Sequence, residues 1–221
     1  MKRDSHFEGS INELYDIHKK ISLQVSDAIK IFKSIWRDGS DEDLFIELSF
    51  CILTPQSKAL EAWKAICKMK DSGDLFRGKS EEISIELNRV RFKNNKARYL
   101  VSARDMFSGP NGFIVRDILN SAGDIFEKRK WLVENVKGIG YKEASHFLRN
   151  IGFVEDIAIL DRHILRNMER LGLIPEIPKS ITPGIYFKLE SKFKEFAGEI
   201  NIPIQDLDFI FWYRETGTIF K

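Results

Sequence analysis

Cysteine is scarce in this chain. Only Cys51 and Cys67 occur among 221 residues, too few for a disulfide framework or a four-cysteine metal or cluster site. Both fall in apolar helical patterns, as small core residues do. Long apolar runs are missing too. No stretch reaches 18 apolar residues, so no helix is expected to span a membrane. Met1-Lys2-Arg3-Asp4-Ser5-His6 is not followed by the apolar segment of a secretory signal. The chain is expected to stay inside the cell. Charge of one sign is also lacking: 35 Lys and Arg against 33 Asp and Glu leave +2. Composition alone therefore does not announce a nucleic-acid partner. Repeats, low-complexity linkers and period-two alternation are absent or scarce, which speaks against solenoids and sheets.

What remains is a helical pattern with short loops. Hydrophobic residues make up 43% and charged residues 31%, the balance of a globular protein. Ser40-Asp41-Glu42-Asp43 reads as a capped helix start leading into Leu44, Phe45, Leu48, Cys51 and Ile52, and Thr54-Pro55 ends that run. Helices are expected over 57–70, 81–90, 94–107, 113–120, 124–136, 141–151, 184–199 and 203–216, with a break at Gly109-Pro110-Asn111-Gly112. Asp161 is expected to cap a helix running to Leu171, and Pro203 suits the first turn of the last one. The one candidate strand is Phe153 to Leu160. The expected fold class is all-α, with two helical lobes around a cleft: residues 40–151, and residues 1–39 plus 152–221.

Two features carry chemistry. Leu132 to Ala144 contains an apolar helix, the turn Lys137-Gly138-Ile139-Gly140 and a second helix with Lys142 in its first turn. Glycines permit backbone angles and close approach that side chains block. The unpaired amides of a helix start can bind a phosphate. This reads as a DNA-binding hairpin, or as an ordinary tight turn. A cation at a helix N-terminus is disfavoured, so Lys142 is placed where its neutral, nucleophilic amine is favoured. Asp161 follows the apolar run Ile157-Ala158-Ile159-Leu160 and could steady positive charge. Taken alone, the pair reads better as an exposed lysine and a simple helix cap. Arg89, Arg91, Lys93, Lys96, Arg98 and Arg104 form a basic run without acidic residues, with Phe92 and Tyr99 interleaved. Such a run can follow phosphates and stack bases, or form a solvated helix face.

Gly138-Ile139-Gly140-Tyr141-Lys142, followed 19 positions after the lysine by Leu160-Asp161-Arg162-His163-Ile164, resembles the helix-hairpin-helix DNA glycosylase superfamily. The likeness extends from about Leu44 to Lys221. It is strongest to the compact archaeal-type (type 2) 8-oxoguanine DNA glycosylase/AP lyases, through Glu47 to Thr54, Val90 to Leu100 and Asp208-Phe209-Ile210-Phe211-Trp212-Tyr213-Arg214. Endonuclease III resembles the hairpin, but its iron–sulfur cysteines are absent here.

The resemblance implies roles. Lys142 takes the place of the Schiff-base nucleophile and Asp161 that of the essential carboxylate. Lys137, Gly138, Gly140 and His163 would contact DNA phosphates or support those contacts. Trp212 matches the base-stacking aromatic, with Asp208 one turn before it. Lys221 would supply its carboxylate to the pairing edge of the lesion, whose adjacent N–H donors suit two acceptor oxygens. Pro55, Gln56 and Ser57 occupy the loop that approaches the lesion. Gln56 could fill the gap left by a flipped base or contact the lesion, and Arg91 and Phe92 could wedge the stack or touch the opposite strand.

The implied partners are duplex DNA containing 8-oxoguanine and abasic-site DNA, bound by a monomer in the cytoplasm or nucleoid of a prokaryote, with no membrane association. No cofactor or catalytic metal is required. A glycosylase for oxidised pyrimidines and a non-catalytic helix-hairpin-helix module are the alternatives.

Overall fold

A computed structural model describes residues 5–220, and Lys221 lies outside them. The described residues are almost wholly helical, and no helix is long and apolar enough to cross a membrane. The chain divides into two units. One gathers the residues up to Phe32 with those from Val154 onward, and the other runs from Lys33 to Phe153.

Helix α1 (Ser5–Asp38) enters both units. It was not legible beforehand. Its buried stripe is narrow, with Leu14, Ile21, Val25 and Phe32 four or seven residues apart, while Leu23 and Ile31 face solvent and blur the period. In the first unit α1 is tied down by Tyr15, whose hydroxyl donates to Ile200 O at 2.8 Å, and by the stacked rings of Phe32 and Phe209. In the second unit its end is held by Arg116, whose guanidinium lies 4.7 Å from the Trp36 ring and donates to Gly39 O at 2.8 Å.

The second unit is built around α2 (Asp41–Leu53). Ser40 closes the expected capping box with Asp43, each side chain bonding the other's backbone N–H. Every residue from Leu44 to Leu53 is buried. A helix buried on all sides is a central helix. Each fully buried Leu or Phe contributes about 1.5–3 kcal/mol by leaving water. Its buried Glu47 accepts from Asn150 Nδ2 at 3.0 Å, so the buried carboxyl group is hydrogen-bonded. Around α2 stand α3 (Ala59–Ser72), the short α4 (Asp74–Arg77) and α5 (Ser80–Glu86), α6 (Lys93–Phe107), α7 (Val115–Ser121), α8 (Ile125–Asn135) and α9 (Tyr141–Asn150). Helix α5 stops at Glu86, four residues before the expected end, so Arg89 and Arg91 lie in a turn. At the Gly-Pro-Asn-Gly break the chain forms a minimal hairpin, β1 (Ser108–Gly109) against β2 (Gly112–Phe113).

The first unit adds α10 (Arg162–Arg170), α11 (Pro183–Glu199) and α12 (Ile204–Thr216). Pro203 sits at the N-cap of α12, just outside its first turn. The expected strand at 153–160 does not form. Its apolar residues Val154 and Ile157 to Leu160 are buried, while Glu155 and Asp156 between them are exposed, and side chains replace a sheet partner. Ala158 N–H donates to Glu190 Oε1 at 2.8 Å, and its carbonyl accepts from the Tyr186 hydroxyl at 2.6 Å. Both backbone groups are thereby satisfied without a ladder.

Candidate active site

The hairpin joins α8 to α9. Asp124 caps α8 by accepting from the amides of Phe126 and Glu127. The two helices are locked by Arg129, which is 2% exposed. Its guanidinium lies 5.6 Å from the Phe126 ring and 5.7 Å from the Tyr141 ring, and it donates to Ser145 Oγ at 3.2 Å. In the turn, Val136 and Ile139 are buried, while Lys137 and Gly138 face solvent. Gly138 has φ +85, and a Cβ there would lie 2.5 Å from Tyr99 Cδ2. Gly140 differs: its φ of −105 suits any residue, and a Cβ would meet only the Glu143 carboxylate, at 3.3 Å. No side chain caps α9 from Gly140, so its N-terminus presents backbone amides.

Lys142 stands in the first turn of α9 with its side chain about a quarter exposed. Its Nζ lies 3.6 Å from Glu143 Oε1, and the other oxygen of Glu143 accepts from Gly140 N–H at 3.2 Å. Glu143 thus links the turn to the lysine. Below them, burial pushes the Cys51 thiol on α2 up, and Glu47 and Glu143 add to that, whereas Lys142 and Arg149 oppose it.

Lys96 was grouped in sequence with a basic run that could follow phosphates. It instead points inward and is 3% exposed. Its Nζ donates to Leu53 O at 2.8 Å, Pro55 O at 2.7 Å and Ser57 Oγ at 3.0 Å. Burial brings its amine down to about 8; the Glu143 charge opposes that fall and the Lys142 charge adds to it. Lys96 therefore brings Pro55 and Ser57 into the electrostatic neighbourhood of Lys142. Arg91 joins the group because its N–H donates to Ser57 Oγ at 3.0 Å. Gln56 and Phe92 are exposed and left-handed, with φ 53 and φ 58. The rest of the basic run divides: Arg104 donates to Gly78 O and Arg89 to Glu61, while the Arg91 guanidinium lies 5.1 Å from the Phe92 ring.

In the first unit, Asp161 caps α10 as expected. Its Oδ1 accepts from His163 N–H at 2.8 Å and Ile164 N–H at 2.9 Å. Its Oδ2 has no hydrogen-bond partner among the described residues. His163 meets the Trp212 ring edge-on, with centroids 4.8 Å apart, and its Nδ1 is 3.8 Å from Glu215. Glu215 also pairs with Arg166 and Arg170. Asp208 lies on α12 one turn before Trp212.

Lys96 and Glu143 were missed in sequence. Positions 96, 100, 103 and 107 share one face of α6, and Leu100, Ala103 and Phe107 are buried. A lysine in that register was the available signal. Glu143 falls three residues after Gly140, where a helix-start carboxylate can reach back to the cap amide.

An all-helical fold whose Gly-x-Gly turn joins two locked helices defines a helix-hairpin-helix protein. A family model described as 8-oxoguanine DNA glycosylase matches residues 25–202. The 8-oxoguanine DNA glycosylase/AP lyase of Fusobacterium nucleatum is 48% identical over 221 residues, covering 100% of both chains. The crystal structure of the 8-oxoguanine DNA glycosylase of Thermotoga maritima superposes with a TM-score of 0.86 at 35% identity, covering 97% of this chain and 100% of that one. That of the Methanocaldococcus jannaschii 8-oxoguanine glycosylase/lyase, in complex with 15mer DNA containing 8-oxoguanine, gives 0.86 at 34% identity, covering 96% and 99%. This chain belongs to the 8-oxoguanine DNA glycosylase family.

Proposed function

We infer that the protein is a bifunctional repair enzyme that removes 8-oxoguanine from duplex DNA and then cuts the strand at the abasic site, acting as a monomer on the nucleoid of a prokaryotic cell. The observation that carries this reading is Lys142, an amine in the first turn of the second hairpin helix, in a chain 48% identical throughout to an 8-oxoguanine DNA glycosylase/AP lyase.

The hairpin amides and Lys137 hold a phosphate, which positions the duplex without reading its sequence. The damaged nucleotide turns out of the stack, at a cost of a few kcal/mol. Lys142 Nζ attacks C1′. The C1′–N9 bond breaks with its electron pair going to the base, which leaves protonated, and the amine gives up its proton. Asp161, fixed through Oδ1 and open at Oδ2, steadies the positive charge that grows on the sugar. The C1′–O4′ bond then breaks with its electron pair going to O4′, which takes up a proton, and the protonated Schiff base left between C1′ and Nζ acidifies C2′. Loss of a C2′ proton expels the 3′ phosphate and cuts the strand. Trp212 and Asp208, with the Lys221 residue, would receive the expelled base. Pro55, Gln56 and Ser57 would approach it from the α2–α3 loop. Arg91 and Phe92 would occupy the stack, and His163 would support Trp212.

The reading is tested by single-turnover excision on duplexes carrying 8-oxoguanine, an oxidised pyrimidine or no lesion. Excision with nicking on the first substrate is expected. Activity only on the oxidised pyrimidine would reassign the substrate, and binding without excision would make the protein a non-catalytic hairpin module.

A further inference from the structure

Two exposed turns of the second unit each carry a residue held in the left-handed region. Gln56 has φ 53 and Phe92 has φ 58. That conformation costs a non-glycine residue about 1 kcal/mol or more, so the surroundings must hold it. What holds them is one buried cation and one hydroxyl. Lys96 spends all three ammonium protons on the loop that carries Gln56: Leu53 O before it, Pro55 O beside it and Ser57 Oγ after it. Ser57 Oγ also accepts the N–H of Arg91, the residue preceding Phe92. The path Lys96, Ser57, Arg91 therefore fastens the two turns to each other and to the first turn of α6.

We propose that Lys96 is a positioning residue that clamps the Pro55–Ser57 loop to the Arg91–Phe92 turn, so that Gln56 and Phe92 meet DNA as one rigid unit. The proposal rests on the reading that these two residues engage the lesion and the stack. Lys96 touches no substrate in this account. Its effect passes through the loop, and it belongs to recognition and base opening rather than to Schiff-base chemistry.

The test compares two substrates. A residue that positions the base-opening loop matters for an intact 8-oxoguanine pair and little for a pre-formed abasic site. A residue acting on Lys142 through its charge would change both, because both reactions use the same amine. Lys96→Met is expected to lower single-turnover excision of 8-oxoguanine about tenfold or more, the scale of lost hydrogen bonds to a charged group. Nicking of an abasic duplex should stay within about twofold of the parent, since that step does not use these bonds. Lys96→Met combined with Gln56→Ala should be no slower than the slower single variant, because both remove the same function. Ser57→Ala cuts the link to Arg91 and spares the core. It should show a smaller loss on 8-oxoguanine with an unchanged unfolding temperature, and it serves if Lys96→Met fails to fold. Wild-type excision by Lys96→Met or Ser57→Ala, with Gln56→Ala impaired, would overturn the clamp. So would equal losses on both substrates. Unchanged excision in both Gln56→Ala and Phe92→Ala would remove the underlying reading, and the clamp with it.

Discussion

Tyr99 lies where a side chain at position 138 would go: a Cβ built on Gly138 falls 2.5 Å from Tyr99 Cδ2, on a backbone with φ +85. The two glycines of the hairpin therefore serve different ends. Gly138 is required by the fold, through its backbone angle and the ring packed against it. Gly140 has an ordinary φ of −105 and open space around it apart from Glu143. Its missing side chain leaves room for something to come close from outside.

This difference is measurable. Gly138→Ala should destabilise the protein by about 1–3 kcal/mol from backbone strain alone, with the displaced ring adding to it. Gly140→Ala should cost no more than about 1 kcal/mol. It should nevertheless weaken binding to damaged and undamaged duplex alike, because a methyl group obstructs phosphate approach. Denaturant melts and duplex titrations check both. Full DNA affinity in Gly140→Ala would remove the phosphate from that turn.

Asp161→Asn isolates charge from structure. Asn caps helices about as well as Asp, and the two amides need only one acceptor oxygen. Stability should change by less than about 1 kcal/mol. Excision should fall on the order of a hundredfold or more, since charge stabilisation of this kind is worth several kcal/mol. Single-turnover rates beside a thermal melt decide it. A melt that drops as far as the rate would make Asp161 a cap and nothing more.

Lys96 makes stability depend on pH. Its folded amine sits at about 8, against 10.5 when free. Below about 8 both states hold the proton, and burial of the ammonium is fully penalised. Between those values the unfolded chain keeps a proton that the folded protein has released, so stability rises with pH. Measured against Lys96→Met, the parent should gain roughly 1 kcal/mol per pH unit across this window. Lys142 and Glu143 are the charges that face Lys96, and both are present in the two proteins being compared. A parent that loses ground to the variant as pH rises would show that the three acceptors hold the proton more strongly than burial expels it.

The fold was legible where one signal dominated. Ser40 and Asp43 announced α2, and the hairpin glycines announced the α8–α9 turn. Legibility failed where tertiary structure replaced a local rule. Phe153 to Leu160 is mostly apolar, as a buried strand is, yet the chain bends at Glu155 and Asp156, and Glu190 and Tyr186 satisfy the Ala158 backbone in place of a neighbouring strand. Helix α1 escaped because exposed Leu23 and Ile31 hide its narrow stripe. Among the candidate site residues, Asp161 caps its helix as its position suggested, whereas Lys96 was misplaced among surface cations. A lysine is read as solvated by type, and only three inward acceptors 40 or so residues away reverse that reading.

The central claim is that Lys142 is the nucleophile, and borohydride trapping with peptide mapping tests it most directly. Incubating the protein with an 8-oxoguanine duplex and reductant should give a covalent complex whose DNA adduct maps to Lys142. Lys142→Gln should bind the duplex with an affinity close to the parent's and form no adduct, because an amide cannot make a Schiff base. An adduct on another amine, or undiminished trapping by Lys142→Gln, would contradict the account.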